Sequence, residues 1–223
     1  MTGLPVPNWQ VPESIATALH HGDDVDDASF DRIYPGGHRF RSRTHWTPVE
    51  IARRAVAMLE PTDADKILDI GSGVGKFCLI GALTSPGSWV GIEQDAGMVR
   101  AATIAARALG VDARVEFRHG SIDKLRWPEF TGFYLFNPFE ELLYTAKEGA
   151  EGRRKKFRAL VEHVEEKLSF TAAGTRVVTY HGMGGEMPSC FELVRREPAR
   201  DSELCLWVRR PPASGRQSPR SNT

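Results

Sequence analysis

Short apolar runs alternate with longer amphipathic stretches along most of the chain. The apolar runs predict strands over residues 66–70, 89–93, 114–119, 132–137 and 175–180. Helices are predicted over residues 76–83, 98–109 and 153–168, where apolar positions recur every three or four residues, with a shorter helix at 139–144 and a loop at 148–152. Uninterrupted apolar strands that alternate with helices are typical of a parallel sheet covered on both faces.

Two further apolar segments complete this pattern. Residues 191–195 and 204–208 are separated by a polar turn, so we expect an antiparallel hairpin at one edge of the sheet. Together the elements predict an α/β fold, a Rossmann-like three-layer α/β/α sandwich with a mostly parallel, seven-stranded sheet.

The segment ahead of this pattern, residues 1–46, is rich in proline, glycine and charge, and we interpret it as an N-terminal arm or lid laid over the domain. A short helix is predicted at 12–20. The string Thr47-Pro48-Val49-Glu50 predicts a helix start, with Thr47 as N-cap and Glu50 completing a capping box. The domain then extends over residues 47–210. The tail, 211–223, lacks periodicity and is expected to be disordered.

Composition narrows the classes of partner. The 223 residues carry 29 basic and 29 acidic side chains, so binding to nucleic acid or a membrane would need a local patch. The basic residues 153–156 begin a predicted helix, where cations oppose the macrodipole. We interpret them as a mild cost to the stability of that helix. Three cysteines without CxxC spacing and seven scattered histidines predict no disulfide framework and no metal site. The absence of a signal peptide or apolar span predicts a cytoplasmic protein.

A glycine-rich turn, G-S-G-V-G at residues 71–75, follows the first predicted strand. Ligands of open parallel sheets bind outside the carboxyl ends of the strands. A phosphate-binding P-loop needs GxxxxGK and then Ser or Thr, whereas this run is one residue shorter and has Phe77 after Lys76. A dinucleotide fingerprint would need glycine in place of Lys76. The remaining pattern, GxGxG, suits a ligand without phosphates, although a tight turn without a ligand is the alternative.

Acidic side chains lie at or just beyond the ends of three successive strands. Asp69 could accept from an ammonium group, Glu93 from two ribose hydroxyls, and Asp123 from the exocyclic amine of adenine. S-adenosyl-L-methionine has these three polar parts and is the expected cofactor. The residues expected to bind it are Asp69, Gly71, Ser72, Gly73, Gly75, Glu93, Gln94, Ser121, Ile122, Asp123 and Asn137.

Over roughly residues 47–209 the chain resembles class I S-adenosylmethionine-dependent methyltransferases, with the glycine turn, Glu93, Asp123 and the terminal hairpin in the family's order. The stretches ILDIGSGVGK and VGIE, with the strand end at Asn137, are most similar to non-SET histone-lysine methyltransferases of the disruptor-of-telomeric-silencing type and to small bacterial relatives of unassigned substrate. The resemblance implies the fold, the cofactor and a transferase activity. It does not specify the acceptor.

Asn137-Pro138-Phe139 ends the fourth strand, beside the expected position of the cofactor methyl group. Methyl transfer from a sulfonium needs an aligned, desolvated nucleophile rather than a strong base. The Asn137 oxygen and the Pro138 carbonyl could accept from an amine, and Phe139 could stack on it or exclude water. These three are the expected catalytic residues, and nitrogen is favoured over oxygen as acceptor. The alternative is that they only end the strand.

The Asn-Pro-Phe element is similar to the NPP-aromatic signature of amino methyltransferases, with one proline missing, and to the Asn-Asn-Phe element of the histone-lysine enzymes. Weaker candidates are a lid formed by Tyr34, His45 and Trp46, a base or acceptor contact at His181, and phosphate contacts from residues 38–43. Packing of the arm, an incidental histidine and a solvated loop are the respective alternatives.

We therefore expect a methyltransferase acting on an unidentified acceptor, either a protein side chain or a small molecule, with nucleic acid also open. The alternative function is a non-catalytic sensor or partner subunit that binds S-adenosylmethionine or S-adenosylhomocysteine. A nicotinamide dehydrogenase is disfavoured by the glycine spacing.

Overall fold

A sheet of seven strands forms the centre of the protein in a computed structural model that describes residues 13–34, 46–144 and 149–212. The strands are β1 (Lys66–Ile70), β2 (Ser88–Glu93), β3 (Val115–His119), β4 (Gly132–Phe136), β5 (Arg176–Tyr180), β6 (Phe191–Ala199) and β7 (Ser202–Arg209). Their spatial order is β3-β2-β1-β4-β5-β7-β6. The first five are parallel, while β7 runs antiparallel to β5 and to β6. The predicted sheet and its terminal hairpin are confirmed.

Helices cover both faces of this sheet. They are α1 (Glu13–His21), α2 (Asp27–Phe30), α3 (Val49–Leu59), α4 (Lys76–Thr84), α5 (Ala96–Ala108) and α6 (Ala150–Ser169). Short 3-10 turns lie at Asp31–Ile33, Ile122–Lys124, Trp127–Glu129 and Glu140–Leu143. The helix predicted at 139–144 is therefore a 3-10 turn. Helix α6 begins three residues earlier than predicted and includes residues assigned to a loop.

Apolar side chains on the two faces of the sheet form two cores. On one face Tyr134 and Trp89 pack with residues of α3 and α4 such as Ile51. On the other face Phe133 packs with Leu168 of α6. Because both faces are covered, the central strands β1, β2 and β4 are buried almost throughout without alternation, and ligands can reach them only at the ends of the sheet.

The predicted capping box at the start of α3 is wrong. The Thr47 hydroxyl lies 3.0 Å from the Tyr134 hydroxyl, and Pro48 occupies the N-cap position without a side-chain capping bond. The Val49 amide at the start of the helix instead donates to the Asp27 carboxylate at 2.8 Å. A carboxylate from the arm therefore caps the helix, because the local threonine is engaged by a strand 87 residues away.

The described part of the N-terminal segment packs on the domain. Helix α1 lies against α4, and the Tyr34 ring meets the Trp46 ring edge-on with centroids 4.9 Å apart. Residues 1–12, 35–45, 145–148 and 213–223 lie outside the described residues, and with them His45, the basic segment 38–43 and nearly all of the tail predicted to be disordered. Among the described residues no helix is both long and apolar enough to cross a membrane.

Candidate functional site

A cavity of about 100 Å³ lies at the carboxyl ends of β1 and β4. It is lined by Trp46, Thr47, Asp69, Gly71, Ser72, Val74, Lys76, Phe77, Phe136, Asn137, Pro138, Phe139, Glu140 and Tyr144. Six residues expected at the site therefore share it: Asp69, Gly71, Ser72, Asn137, Pro138 and Phe139. They meet because β1 and β4 are parallel neighbours, with Ile70 opposite Leu135, so that the chain leaves both strands at the same edge.

The glycine turn follows β1 and is anchored to β2. The amides of Gly71 and Ser72 both donate to the Ile92 carbonyl at 3.0 Å, and the Gly75 amide donates to the Ser72 carbonyl at 2.8 Å. Gly71 and Gly75 both have a φ of +77°, which side chains disfavour. They differ in surroundings, because a Cβ on Gly71 would meet nothing within 4 Å, whereas one on Gly75 would lie 2.2 Å from the Phe117 ring.

These surroundings give the glycines different roles. Gly71 lines the cavity and leaves open space where a side chain would stand, which suits close approach of a ligand to the backbone. Gly75 lets α4 pack closely on Phe117, so its lack of a side chain serves helix–sheet packing. A cofactor contact by Gly75 stays a prediction.

The Asp69 side chain is buried in β1, with 4% of the residue exposed. Burial raises the pKa of Asp69 to about 8; the Cys78 thiol, which donates to its Oδ2 at 3.8 Å, opposes part of this rise, and the negative charge of Glu93 adds to it. A buried carboxyl of this kind is either neutral or compensated by a cation. An ammonium group in the adjoining cavity would supply that cation.

Glu93, at the end of β2, is hydrogen-bonded to the glycine turn. Its Oε2 accepts from the Gly73 amide at 3.0 Å, and its Oε1 accepts from the Asp95 amide at 2.8 Å. A carboxylate has about four acceptor positions, so hydroxyl donors can still bind. The neighbouring residue Gln94 is exposed, and its backbone carbonyl oxygen lies 3.0 Å from His119 Nε2. The ribose-binding roles of Glu93 and Gln94 stay predictions.

The third predicted acid lies outside the cavity. Asp123 is exposed on the 3-10 turn after β3, and a hydrogen bond from the Ser121 hydroxyl lowers the pKa of its carboxyl. Ile122, between them, is buried. Of the three strand-end acids, the structure therefore places only Asp69 in the cavity. An adenine contact at Asp123 would extend along the surface beyond Glu93.

The residues after β4 and β5 have strained backbones. Asn137, Phe139 and His181 have φ values of +36°, +73° and +55°, a region that non-glycine residues rarely adopt. The Asn137 amide donates to the carbonyls of Tyr180 and Gly182, both at 3.2 Å, which holds this conformation in place. Strain of this kind costs about 1–3 kcal/mol per residue and clusters at functional sites.

Two buried polar atoms of the cavity wall have no hydrogen-bond partner among the described residues. They are the Ser72 hydroxyl oxygen and the Trp46 indole nitrogen. Leaving such groups unpaired costs free energy, so a polar ligand or water in the cavity would stabilise them. The open Gly71 backbone, the buried Asp69 carboxyl and these two atoms fit the amino-acid end of S-adenosylmethionine.

Sequence reasoning missed two features of the site. Lys76, used only to exclude nucleotide motifs, is buried and pairs with Asp27 at 2.7 Å and Asp31 at 2.8 Å. Tyr144 lines the cavity although it is 76% exposed. The acidic run at residues 23–27 was the available signal for the first. His181, a weaker candidate for a base or an acceptor contact, lies 3.3 Å from Asp201 and does not line the cavity.

Comparisons with known proteins agree with this architecture. A family model described as a methyltransferase domain matches residues 61–137. None of the curated sequences compared with the chain matches it. An RNA methyltransferase from Salinibacter ruber, solved with S-adenosyl-L-homocysteine, is 23% identical with a TM-score of 0.56, over 74% of this chain and 93% of that one.

A second similar structure is TrmN from Thermus thermophilus, with 17% identity and a TM-score of 0.57. The match covers 73% of this chain and 49% of TrmN, so the chain spans about half the length of that protein. At these identities the likeness establishes the fold. The chain has the mixed, seven-stranded Rossmann-like fold of methyltransferases, and the S-adenosyl-L-homocysteine bound to the S. ruber protein agrees with the expected cofactor.

Proposed function

We propose that this protein is an S-adenosylmethionine-dependent methyltransferase whose reacting centre is the cavity between Asp69 and Asn137. The observation that carries the proposal is the burial of the Asp69 carboxyl beside the open backbone of Gly71, in one cavity with the strained strand end after β4. A matching family model over the glycine turn and the strand end supports the same function.

The cavity lies between the glycine turn and the strand end after β4, where the methionine portion of the cofactor and its methyl group would bind. Asp69 would accept from the ammonium group, directly or through water, and the Ser72 hydroxyl would bind a polar atom beside it. The ribose and adenine would lie outside the cavity, where Glu93 and then Asp123 follow the next two strands.

Residues of this chain would align the acceptor and exclude water from it. Bound S-adenosylmethionine supplies an electrophilic methyl group on a sulfonium. Asn137 and the Pro138 carbonyl would accept hydrogens from an amine and so hold its lone pair in one direction, while Phe139 and Phe136 keep water out. Alignment and desolvation provide most of the rate of such a displacement, so no general base is required.

The acceptor is proposed to be a nitrogen. The narrower resemblance to histone-lysine methyltransferases, and the expected cytoplasmic location, stay predictions. The S. ruber neighbour is named as an RNA methyltransferase, which favours testing nucleic acid together with protein and small molecules.

The test is transfer of a tritiated methyl group. Wild-type protein is incubated with labelled S-adenosylmethionine and separate fractions of protein, nucleic acid and small metabolites. We expect one fraction to become labelled, and Asn137→Ala to lower the rate about tenfold or more. Binding of the cofactor without label in any fraction would instead support the sensor, and absence of binding would overturn the proposal.

A further inference from the structure

We propose that the first half of α6 binds the phosphate backbone of a single-stranded nucleic acid and leads one of its bases to the cavity. The methyl-transfer part of this inference rests on the proposed function. The binding part rests only on α6 and the turn beside it, and it can be tested separately.

The charges of α6 are arranged against its macrodipole. Residues 150–160 contain five cations, Arg153, Arg154, Lys155, Lys156 and Arg158, against the single acid Glu151. Residues 161–169 contain three acids and one lysine. A helix is stabilised by the opposite arrangement, with acids at its start and cations at its end. The macrodipole therefore does not account for the cluster of cations, and an external anion would.

Most other cations of the fold have partners. Arg54 lies 3.0 Å from Glu197, Lys66 lies 2.7 Å from Glu129, and Arg118 also pairs with Glu129 at 2.7 Å. Arg154, Lys155, Lys156 and Arg158 are exposed, and no carboxylate of the part of the chain that the structure describes lies within 4 Å of them. The neutral net charge thus conceals a local positive surface, which we call the α6 cationic face.

The start of α6, from which the α6 cationic face extends, is joined to the segment after β4 that lines the cavity. The Arg153 Nε donates to the Leu143 carbonyl at 3.0 Å, which fixes the start of α6 to the 3-10 turn at Glu140–Leu143. The next residue, Tyr144, lines the cavity with 76% of its surface exposed. The path that we propose for an anionic chain runs along α6, past the exposed Tyr144 ring and toward Asn137 and Phe139.

These neighbours match the chemistry of a single strand. Cations that follow a backbone and aromatic rings on which bases stack are the features of single-strand binding. A base paired within a duplex cannot enter a narrow cavity, whereas an unpaired base can leave the stack and present its edge nitrogen. An acidic peptide would satisfy the cations and leave the exposed Tyr144 ring without a partner.

Fluorescence anisotropy with labelled oligonucleotides of about 12 nucleotides tests the binding. The probes are single-stranded RNA, single-stranded DNA of the same sequence, duplex DNA and polyglutamate. We expect a single strand to bind most tightly. Whichever of the single-stranded RNA and the single-stranded DNA binds more tightly identifies the type of nucleic acid. Tighter binding of duplex DNA or of polyglutamate would overturn the proposal, as would no binding of either single strand at low salt.

Two double variants test whether the α6 cationic face is the surface that binds the single strand. Lys155→Ala/Arg158→Ala should weaken single-strand binding about tenfold or more and lower the slope of log K against log salt by about 1.4, because about 0.7 is expected per phosphate contact. The control, Arg100→Ala/Arg107→Ala, removes two exposed cations from α5 and should change neither. Equal effects of the two double variants would contradict the assignment of α6.

Variants of Tyr144 distinguish the contribution of base stacking to binding from that of charge. Tyr144→Ala should weaken binding about tenfold with an unchanged salt slope, and Tyr144→Phe should bind as the wild type. The Lys155→Ala/Arg158→Ala variant, which lies outside the cavity lining, should bind S-adenosylhomocysteine normally by calorimetry. Normal cofactor binding with no binding of a single strand overturns only this inference, and strand binding without cofactor binding overturns only the proposed function.

Discussion

The Lys76 ammonium lies 2.8 Å from the Asp31 carboxylate, and both side chains are buried. Lys76 is the first residue of α4, immediately after the glycine turn, whereas Asp31 belongs to the N-terminal segment. The same ammonium lies 2.7 Å from Asp27, whose carboxylate also caps α3 through Val49 and accepts from Arg200. One charged network therefore joins the N-terminal segment to the residue that follows the glycine turn.

Removing the central cation of this network should destabilise the fold strongly. Lys76→Met leaves the buried Asp31 and the half-buried Asp27 without their ammonium, and breaking a buried pair in this way costs about 3–5 kcal/mol. The measurement is the free energy of unfolding in urea. The control Lys66→Met breaks a pair with Glu129 in which both side chains are 30% exposed, and should cost less than about 1 kcal/mol. Equal losses in the two variants would contradict the account.

The buried Asp69 carboxyl should make stability depend on pH in a defined direction. Its pKa is about 8 in the fold, against 3.8 as the ordinary value, so the folded state holds a proton that the unfolded state releases. The resulting stabilisation is complete below about pH 4 and is lost as pH rises to about 8. The Asp69→Asn variant has no carboxyl group at this position and therefore lacks this pH dependence.

Unfolding free energies of wild type and Asp69→Asn, measured from pH 5 to pH 9, test this directly. The wild type should lose stability relative to the variant by at most about 1.4 kcal/mol per pH unit, and the loss should level off above about pH 8. Groups that titrate alike in both proteins cancel from the difference. A difference that stays constant over the whole range would show that Asp69 does not carry a raised pKa.

The strained Asn137 should be replaceable by glycine at little cost in stability and at a clear cost in activity. Glycine relieves the positive φ but is more flexible when unfolded, and the two effects offset each other to within about 0.5 kcal/mol. Methyl transfer should slow about 10- to 100-fold, because the acceptor loses a group that orients it.

Glu60→Gly is the matched control for Asn137→Gly. Glu60 has a similar positive φ of +46° at the end of α3, and it does not line the cavity. We expect it to leave methyl transfer unchanged and to lower stability by less than about 1 kcal/mol, because its exposed carboxylate pairs with Arg176 at 3.0 Å. Transfer at the wild-type rate in Asn137→Gly would remove Asn137 from the acceptor site.

The strands and the long helices could be predicted because their signals are local. A run such as 66–70 is apolar without alternation, and α6 repeats apolar residues at helical spacing, so each pattern identifies its own element. Parallel pairing of β1 and β4 then brings Asp69 and the Asn137 strand end to one edge. The sequence thus predicts which residues stand at the strand ends, while the pairing that places them in one cavity is seen in the structure.

The remaining features depend on contacts between distant residues. Thr47 satisfies a local capping rule, yet Tyr134 engages its hydroxyl, and Asp27 caps the helix instead. Gly75 completes a ligand motif, yet Phe117 gives the reason for its missing side chain. No spacing in the sequence indicates which partner wins such a competition, because the outcome is decided by packing across the sheet.

The central claim is that the open turn at Gly71 receives the cofactor, and calorimetric titration with S-adenosylhomocysteine tests it most directly. Gly71→Ala places a methyl group in the empty space above the turn, while Gly110→Ala places one at an equally open glycine with a φ of +68° after α5. Both substitutions carry a similar backbone cost. We predict binding to wild type and to Gly110→Ala, with affinity for Gly71→Ala at least about tenfold lower; equal binding by the two variants, or no binding by wild type, would contradict the account.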